Sequence, residues 1–258
     1  MSENVSKEMT QEKSSLGKRT LLIVGLPMWV FISFLLASLL VGVAIAFLAQ
    51  ANLLSASIDE SILNTTIAAV VYALTLVIVI GVPLKLRNIR TTKDELGLTK
   101  LPTWMDQFLA PAAFIAYMIM AALLMTAVSQ LIPGFDAEEA QDVGFDSISH
   151  SYEYILAFVT LVVVAPVAEE ILVRGYLYGK LRKSTSVIVA MLVSALLFSA
   201  MHMQWNVALN VLPLGIVLVL LREMTGSIWA GIFLHMLKNG VAFYLLFVGP
   251  SILNTLGG

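Results

Sequence analysis

Five ionisable side chains and one amide stand in stretches that are otherwise apolar: Glu169, Glu170, Arg174, His202, His235 and Asn239. An ionised group placed mid-membrane costs about 2.5–3.5 kcal/mol on insertion scales, so these groups are expected to face one another and to serve a function. Glu170 and Arg174 are four residues apart, which puts them on one helix face where they can pair. Glu169 is turned away by ~100° and is free for another task. His235 and Asn239 are also four apart, as are Phe198 and His202. Pro166 has no amide hydrogen to give and is expected to kink its helix, opening room for water beside the acids. A carboxylate drawn out of bulk solvent can act as general base for a water molecule, and a neighbouring histidine can hold that water or pass on a proton. A second histidine with an amide one turn on can aim two donors at a developing oxyanion. These residue types together suit a hydrolase working inside a membrane.

The elements that must carry them are read from hydropathy. Of 258 residues, 59% are hydrophobic and 12% charged, and the mean hydropathy is +0.91. Soluble domains carry about 25% charged residues, so soluble, disordered and nucleic-acid-binding classes are excluded. The fold class is all-α, a polytopic transmembrane bundle. About 20 apolar residues cross a bilayer core, and seven spans are predicted: Leu21–Gln50, Ile62–Leu84, Phe108–Ile132, Tyr154–Tyr178, Ser186–Met203, Val207–Leu221 and Ile228–Val248. The apolar run before Ala44-Ile45-Ala46 is too long for a cleaved signal, so the first span reads as a retained anchor.

All but two of the 15 lysines and arginines fall in the N-terminal tail and in the connections after spans two, four and six. The positive-inside rule makes these cytoplasmic and puts the N-terminus inside. The opposite connections hold Asp59, Glu60, Asp136, Glu138, Glu139, Asp142, Asp146 and Glu153, with no lysine or arginine. The two basic residues left within spans are Arg174 and Lys238; Lys238 could snorkel or pair with an acid, and no role for it emerges. The predicted organisation is a disordered cytoplasmic tail over 1–18, helices one to three with their loops over 19–150, a catalytic helical core over 151–248 and a tail over 249–258. There are no cysteines, hence no disulfide, thiolate metal site or cysteine nucleophile.

The ordered set Glu169-Glu170-x-x-x-Arg174, Phe198-x-x-x-His202 and His235-x-x-x-Asn239 resembles the CPBP family. That group comprises CAAX prenyl endopeptidases of the Ras-converting type, bacteriocin-processing enzymes and bacteriocin self-immunity proteins. The likeness covers roughly Ala165 to Ala242, with a weaker echo from Leu96-Gly97-Leu98 to Trp104. It implies a glutamate-dependent intramembrane endopeptidase. By residue, it implies that Glu169 and His202 activate water, that His235 and Asn239 stabilise the oxyanion, and that Glu170 with Arg174 supports the site. The family is often classed as metalloendopeptidase. Glu169, His202 and His235 could complete a zinc site with an open position, or could act unaided.

Depth sets a condition on this site. Glu169 lies about 16 Å along its helix from Lys180, whereas His202 is near the far end of span five. For the two to meet, the hairpin of spans five and six must tilt or stop short. The expected partners are a peptide or membrane-protein substrate and the lipid bilayer, with no nucleic acid and no nucleotide. The expected location is a prokaryotic inner (plasma) membrane, where a prenylated substrate is not implied. Rival readings are a non-catalytic bacteriocin-immunity or scaffold protein and a proton-coupled transporter, since intramembrane acids and histidines also serve relays. HExxH is missing, the predicted spans hold no aspartate, no histidine follows Gly249-Pro250-Ser251, and no glycine-rich phosphate loop occurs.

Overall fold

The computed structural model describes residues 2–54, 59–136 and 150–249, with side chains from Arg19 onward in the first segment. The described chain forms seven helices: α1 (Ser2–Gln50), α2 (Glu60–Arg87), α3 (Trp104–Leu131), α4 (Ser151–Arg182), α5 (Val187–Ala200), α6 (Trp205–Thr225) and α7 (Trp229–Val248). All but α5 are long and apolar enough to cross a membrane. The chain is a polytopic, all-helical membrane protein. The acidic loop residues Glu138, Glu139, Asp142 and Asp146, and the tail over 250–258, lie outside the described residues.

Local chemistry sets the helix limits. The carboxylate of Asp59 caps α2 by accepting from the amides of Ser61 and Ile62. Thr103 and Asp106 form a reciprocal capping box at the start of α3. Asn88 and Gly226 take the left-handed conformation that closes α2 and α6. Helix α1 is described from Ser2 onward. The predicted fifth span is shorter than the other six: α5 has 14 residues, about 21 Å, too few to cross. The α5–α6 hairpin therefore turns back within the bundle, as a meeting of Glu169 and His202 requires.

The core packs α4 against α6 and α7, with Leu172, Tyr176, Leu177, Leu214, Leu218 and Leu234 buried in it. Apolar side chains stay exposed along the outer faces of α1 and α3, where lipid would cover them. Basic residues gather at one end, where Arg19 donates to the carbonyl of Ser184 and Arg182 pairs with Glu223 at 3.1 Å. At the opposite end the Tyr152 hydroxyl donates to Asp59.

The segment between α2 and α3 closes the basic end. Gly97 O accepts from the amide of Ile228 and the hydroxyl of Ser227, Lys100 Nζ donates to Thr225 O, and Trp229 Nε1 donates to Lys100 O. Glu95 binds Lys183 at 2.8 Å and Lys180 at 3.6 Å. Two glycines of α4 let this segment lie flat: a Cβ on Gly175 would meet Leu96 at 3.2 Å, and one on Gly179 would meet Glu95 O at 2.2 Å. The Leu96–Trp104 stretch thus holds the ends of α4, α6 and α7 in register.

Candidate active site

A buried ion pair is the fixed point of the site. Arg174 donates to Glu170 Oε1 at 3.0 Å, and both side chains have 0% exposure. The guanidinium also donates to Gly215 O at 3.3 Å and lies 4.3 Å from the centre of the Phe198 ring. Small residues make the space: a Cβ on Gly231 would fall 3.0 Å from Glu170 Oε2, and one on Gly215 would fall 3.4 Å from the Arg174 guanidinium. Attraction inside a bundle offsets the cost of burying two charges only where geometry and added hydrogen bonds are good, and here α4, α6 and α7 all take part.

His235 on α7 lies between the two adjacent glutamates. Its Nδ1 is 3.2 Å from Glu170 Oε1 and its Nε2 is 3.6 Å from Glu169 Oε2. Both ring nitrogens thus face carboxylate oxygens. Glu169 Oε1 is held from the other side by the hydroxyl of Tyr72, at 2.5 Å. The ring of Phe198 stands edge-on to both His202 and His235, with centres 5.1 and 5.5 Å apart. His202 Nδ1 lies 2.9 Å from Phe198 O. A carbonyl only accepts, so Nδ1 donates to it, and in the neutral ring Nε2 keeps its lone pair.

The α4 backbone departs from regular helix at two places. It widens into π-helical turns over Val159–Val164 and Glu170–Leu177, a feature often found at functional sites. Ala165 N–H donates to Thr160 O. The next carbonyl, Leu161 O, would fall to Pro166, which has no N–H. Asn239 supplies the missing donor, its Nδ2 lying 2.8 Å from Leu161 O. The helix runs through Pro166 without a break, and the expected opening is made by a widened turn and a side-chain donor from α7.

A cavity of about 470 Å³ opens on this arrangement, with Tyr72, Glu169, His202, His235, Lys238 and Asn239 in its wall. Glu170 and Arg174 lie behind that wall. All six residues singled out in the sequence therefore meet in one place. Tyr72 and Lys238 join them. Tyr72 belongs to no motif, and the one signal for it in the sequence is a phenol in an apolar span, where a buried hydroxyl needs a partner.

Among the described residues, no three histidine, aspartate or glutamate side chains converge closely enough to hold a metal ion. The set Glu169, His202 and His235 comes together as a pair, Glu169 with His235, and the second nitrogen of His235 is turned to Glu170. This arrangement does not fit a three-ligand zinc site.

Residues 151–241 match the family described as "Type II CAAX prenyl endopeptidase Rce1-like". The chain is also 31% identical over 77 residues to a Bacillus subtilis (strain 168) protein named "Putative membrane peptidase YdiL". That match covers 30% of this chain and 32% of the relative, so the chain spans about a third of the length of the curated relative it matches. No solved structure is significantly similar. The matched segment holds every acidic, basic and imidazole group of the site, so the likeness to the Rce1-like endopeptidases and to the membrane peptidase falls on the residues that line it.

Proposed function

We propose that this protein is an intramembrane endopeptidase in which Glu169 and His202 activate a water molecule. The observation that carries the reading is that both line one cavity of about 470 Å³ within the bundle, with Glu169 held by Tyr72 and His235. The lone pair on His202 Nε2 accepts a hydrogen bond from the water, and Glu169 takes the water's proton as oxygen attacks the scissile carbonyl carbon. The carbonyl electron pair moves onto oxygen. When the tetrahedral intermediate collapses, the carbonyl re-forms, the C–N bond breaks, and the proton held by Glu169 passes to the leaving nitrogen. Glu170 and Arg174 keep His235 in place, and His235 in turn orients Glu169.

The proposed substrate is a peptide or membrane-protein segment, cleaved in the cytoplasmic half of a prokaryotic plasma membrane. Depth along two helices supports this: Glu169 lies about 16 Å from Lys180, and His235 lies about 9 Å from Trp229. Lys180 and Trp229 both bind the segment that closes the basic end.

The test compares cells expressing wild type with cells expressing Glu169→Gln, by N-terminal peptide mass spectrometry of membrane and secreted fractions. New termini seen only with wild type are the expected result. Identical profiles, with both proteins inserted and folded, would overturn proteolysis and favour the non-catalytic or transport reading.

A further inference from the structure

The donors assigned to the oxyanion by family resemblance are largely spent in this structure. Both nitrogens of His235 face carboxylate oxygens, at 3.2 and 3.6 Å. One amide hydrogen of Asn239 is directed to Leu161 O, which leaves a single hydrogen for anything else. The neighbouring residue, Lys238, is in a different condition. It lies in the wall of the same cavity as Glu169, His202 and Asn239, makes no hydrogen bond among the described residues, and has the charge of Glu169 as its electrostatic partner. A cation in a membrane interior is costly, and once Glu169 is neutralised by the water's proton that cost is offset if a negative charge forms beside Lys238.

Its position fits that use. Lys238 also lines a second cavity, of about 300 Å³, whose wall includes Tyr117, Asn206 and Asn210. Lys238 stands where the two cavities meet. A peptide passing from one to the other would carry its backbone past Lys238 while one of its carbonyls faced Glu169 and His202.

We infer that the ammonium of Lys238, with the remaining amide hydrogen of Asn239, holds the oxyanion of the tetrahedral intermediate, and that His235 serves to orient Glu169. The inference rests on the proteolysis reading. Water oxygen bonds to the carbonyl carbon, Glu169 takes the proton, and the carbonyl pair becomes an oxyanion beside Lys238. Lys238 keeps its own protons throughout. A preformed charge in a site shielded from water stabilises such a state strongly, and loss of one donor typically costs about 10²–10³ in kcat.

The test uses full-length protein in nanodiscs. Wild type, Glu169→Gln, Lys238→Met and Lys238→Arg are first compared by terminal-peptide mass spectrometry. A synthetic peptide spanning the bond found with wild type then gives kcat and KM. Lys238→Met keeps the length of the side chain and removes the charge, so its folding is checked by thermal unfolding against wild type. The expected result is a fall of about 10²-fold or more in kcat with little change in KM, and partial recovery in Lys238→Arg. Termini that depend on Glu169 but form at full rate in Lys238→Met would overturn the role of Lys238 and leave proteolysis standing. A rise in KM at constant kcat would also overturn it, making Lys238 an anchor for a substrate anion. Absence of Glu169-dependent termini in wild type would remove both readings together.

Discussion

The hydroxyl of Tyr72 on α2 donates to Glu169 Oε1 on α4 at 2.5 Å, across 97 positions of sequence. The donor lies outside the segment 151–241 that carries the family likeness. The N-terminal helices thus do more than shield the core from lipid, because one of them fixes the proposed base. With His235 on the other carboxylate oxygen, Glu169 has a defined orientation toward the cavity. Tyr72→Phe removes the donor and keeps the ring. The expected outcome is a fall of roughly tenfold in kcat with KM little changed, because orientation of the base is lost while the cavity wall is kept. Steady-state kinetics on a peptide cleaved by wild type checks this, and an unchanged kcat would show that His235 alone positions Glu169.

The buried pair sets a different kind of prediction. Arg174 and Glu170 are inaccessible, and Glu170 Oε2 and Arg174 Nε have no hydrogen-bond partner among the described residues. Removing one member leaves the other as an uncompensated charge, which costs about 3–5 kcal/mol. Arg174→Met is therefore expected to lower the melting temperature sharply. The double variant Glu170→Gln/Arg174→Met, which buries no net or paired charge, is expected to regain most of that loss while remaining poorly active. Thermal unfolding in detergent micelles distinguishes this from a pair without structural weight, for which both variants would melt near wild type.

How much of this could be read from the chain alone depended on whether the signal was local. Span three is predicted at Phe108–Ile132 and found at Trp104–Leu131, because the Thr103–Asp106 cap and an unbroken apolar run are both local features. The six motif residues were legible because charge in an apolar run stands out whatever surrounds it. Tyr72 was not, since its importance comes from a partner 97 residues away that only packing brings near. Asn239 was legible as a site residue, but its hydrogen bond to Leu161 O was not. That contact depends on the π-helical register of α4, which decides which carbonyl Pro166 leaves without a donor. Lys238 stood out as a charge in a span, yet its place between two cavities appears only in three dimensions.

The segment over the basic end predicts an acid-sensitive element. The Glu95 side chain is only 9% exposed beneath the two lysines, and that burial by itself pushes its carboxyl up. The hydrogen bonds from Lys183 and the Thr92 amide, with the charge of Lys180, outweigh burial and hold it below the ordinary glutamate range. A depressed carboxylate contributes stability that is present above its unfolded value and is lost as pH falls through the folded value. Wild type is thus expected to lose part of its stability in acid, below about pH 4.5. Glu95→Gln should be less stable at pH 7 and should converge with wild type at low pH. Melting curves between neutral pH and pH 3 test this, and parallel curves would mean that the lysines do not hold Glu95.

The same loop can be tested by sterics. A Cβ on Gly179 would lie 2.2 Å from Glu95 O, a backbone atom that moves only with its whole segment. Gly179→Ala is expected to displace residues 92–100 from α4 and to cost about 1–3 kcal/mol, as overpacking does. Limited trypsin digestion reports it directly, with faster cleavage at Arg90, Lys93 and Lys100 in the variant. Equal cleavage would mean that α4 shifts and the segment stays docked.

The contact between Asn239 and Leu161 O leads to the least intuitive prediction. Proline in a helix is ordinarily a cost, so replacing it by alanine would be expected to help. In this helix the donor missing at Pro166 is what leaves Leu161 O open to Asn239. Pro166→Ala restores a backbone N–H that competes for that carbonyl, and the amide of Asn239 then loses the bond that aims its second hydrogen at the cavity. The variant is expected to melt at or above the wild-type temperature and yet to turn over roughly tenfold more slowly, with KM little altered. Stability and activity would move in opposite directions, which a simple folding defect cannot produce. A Pro166→Ala enzyme with full kcat would show that Asn239 keeps its orientation without Leu161, and would place the whole burden of oxyanion stabilisation on Lys238.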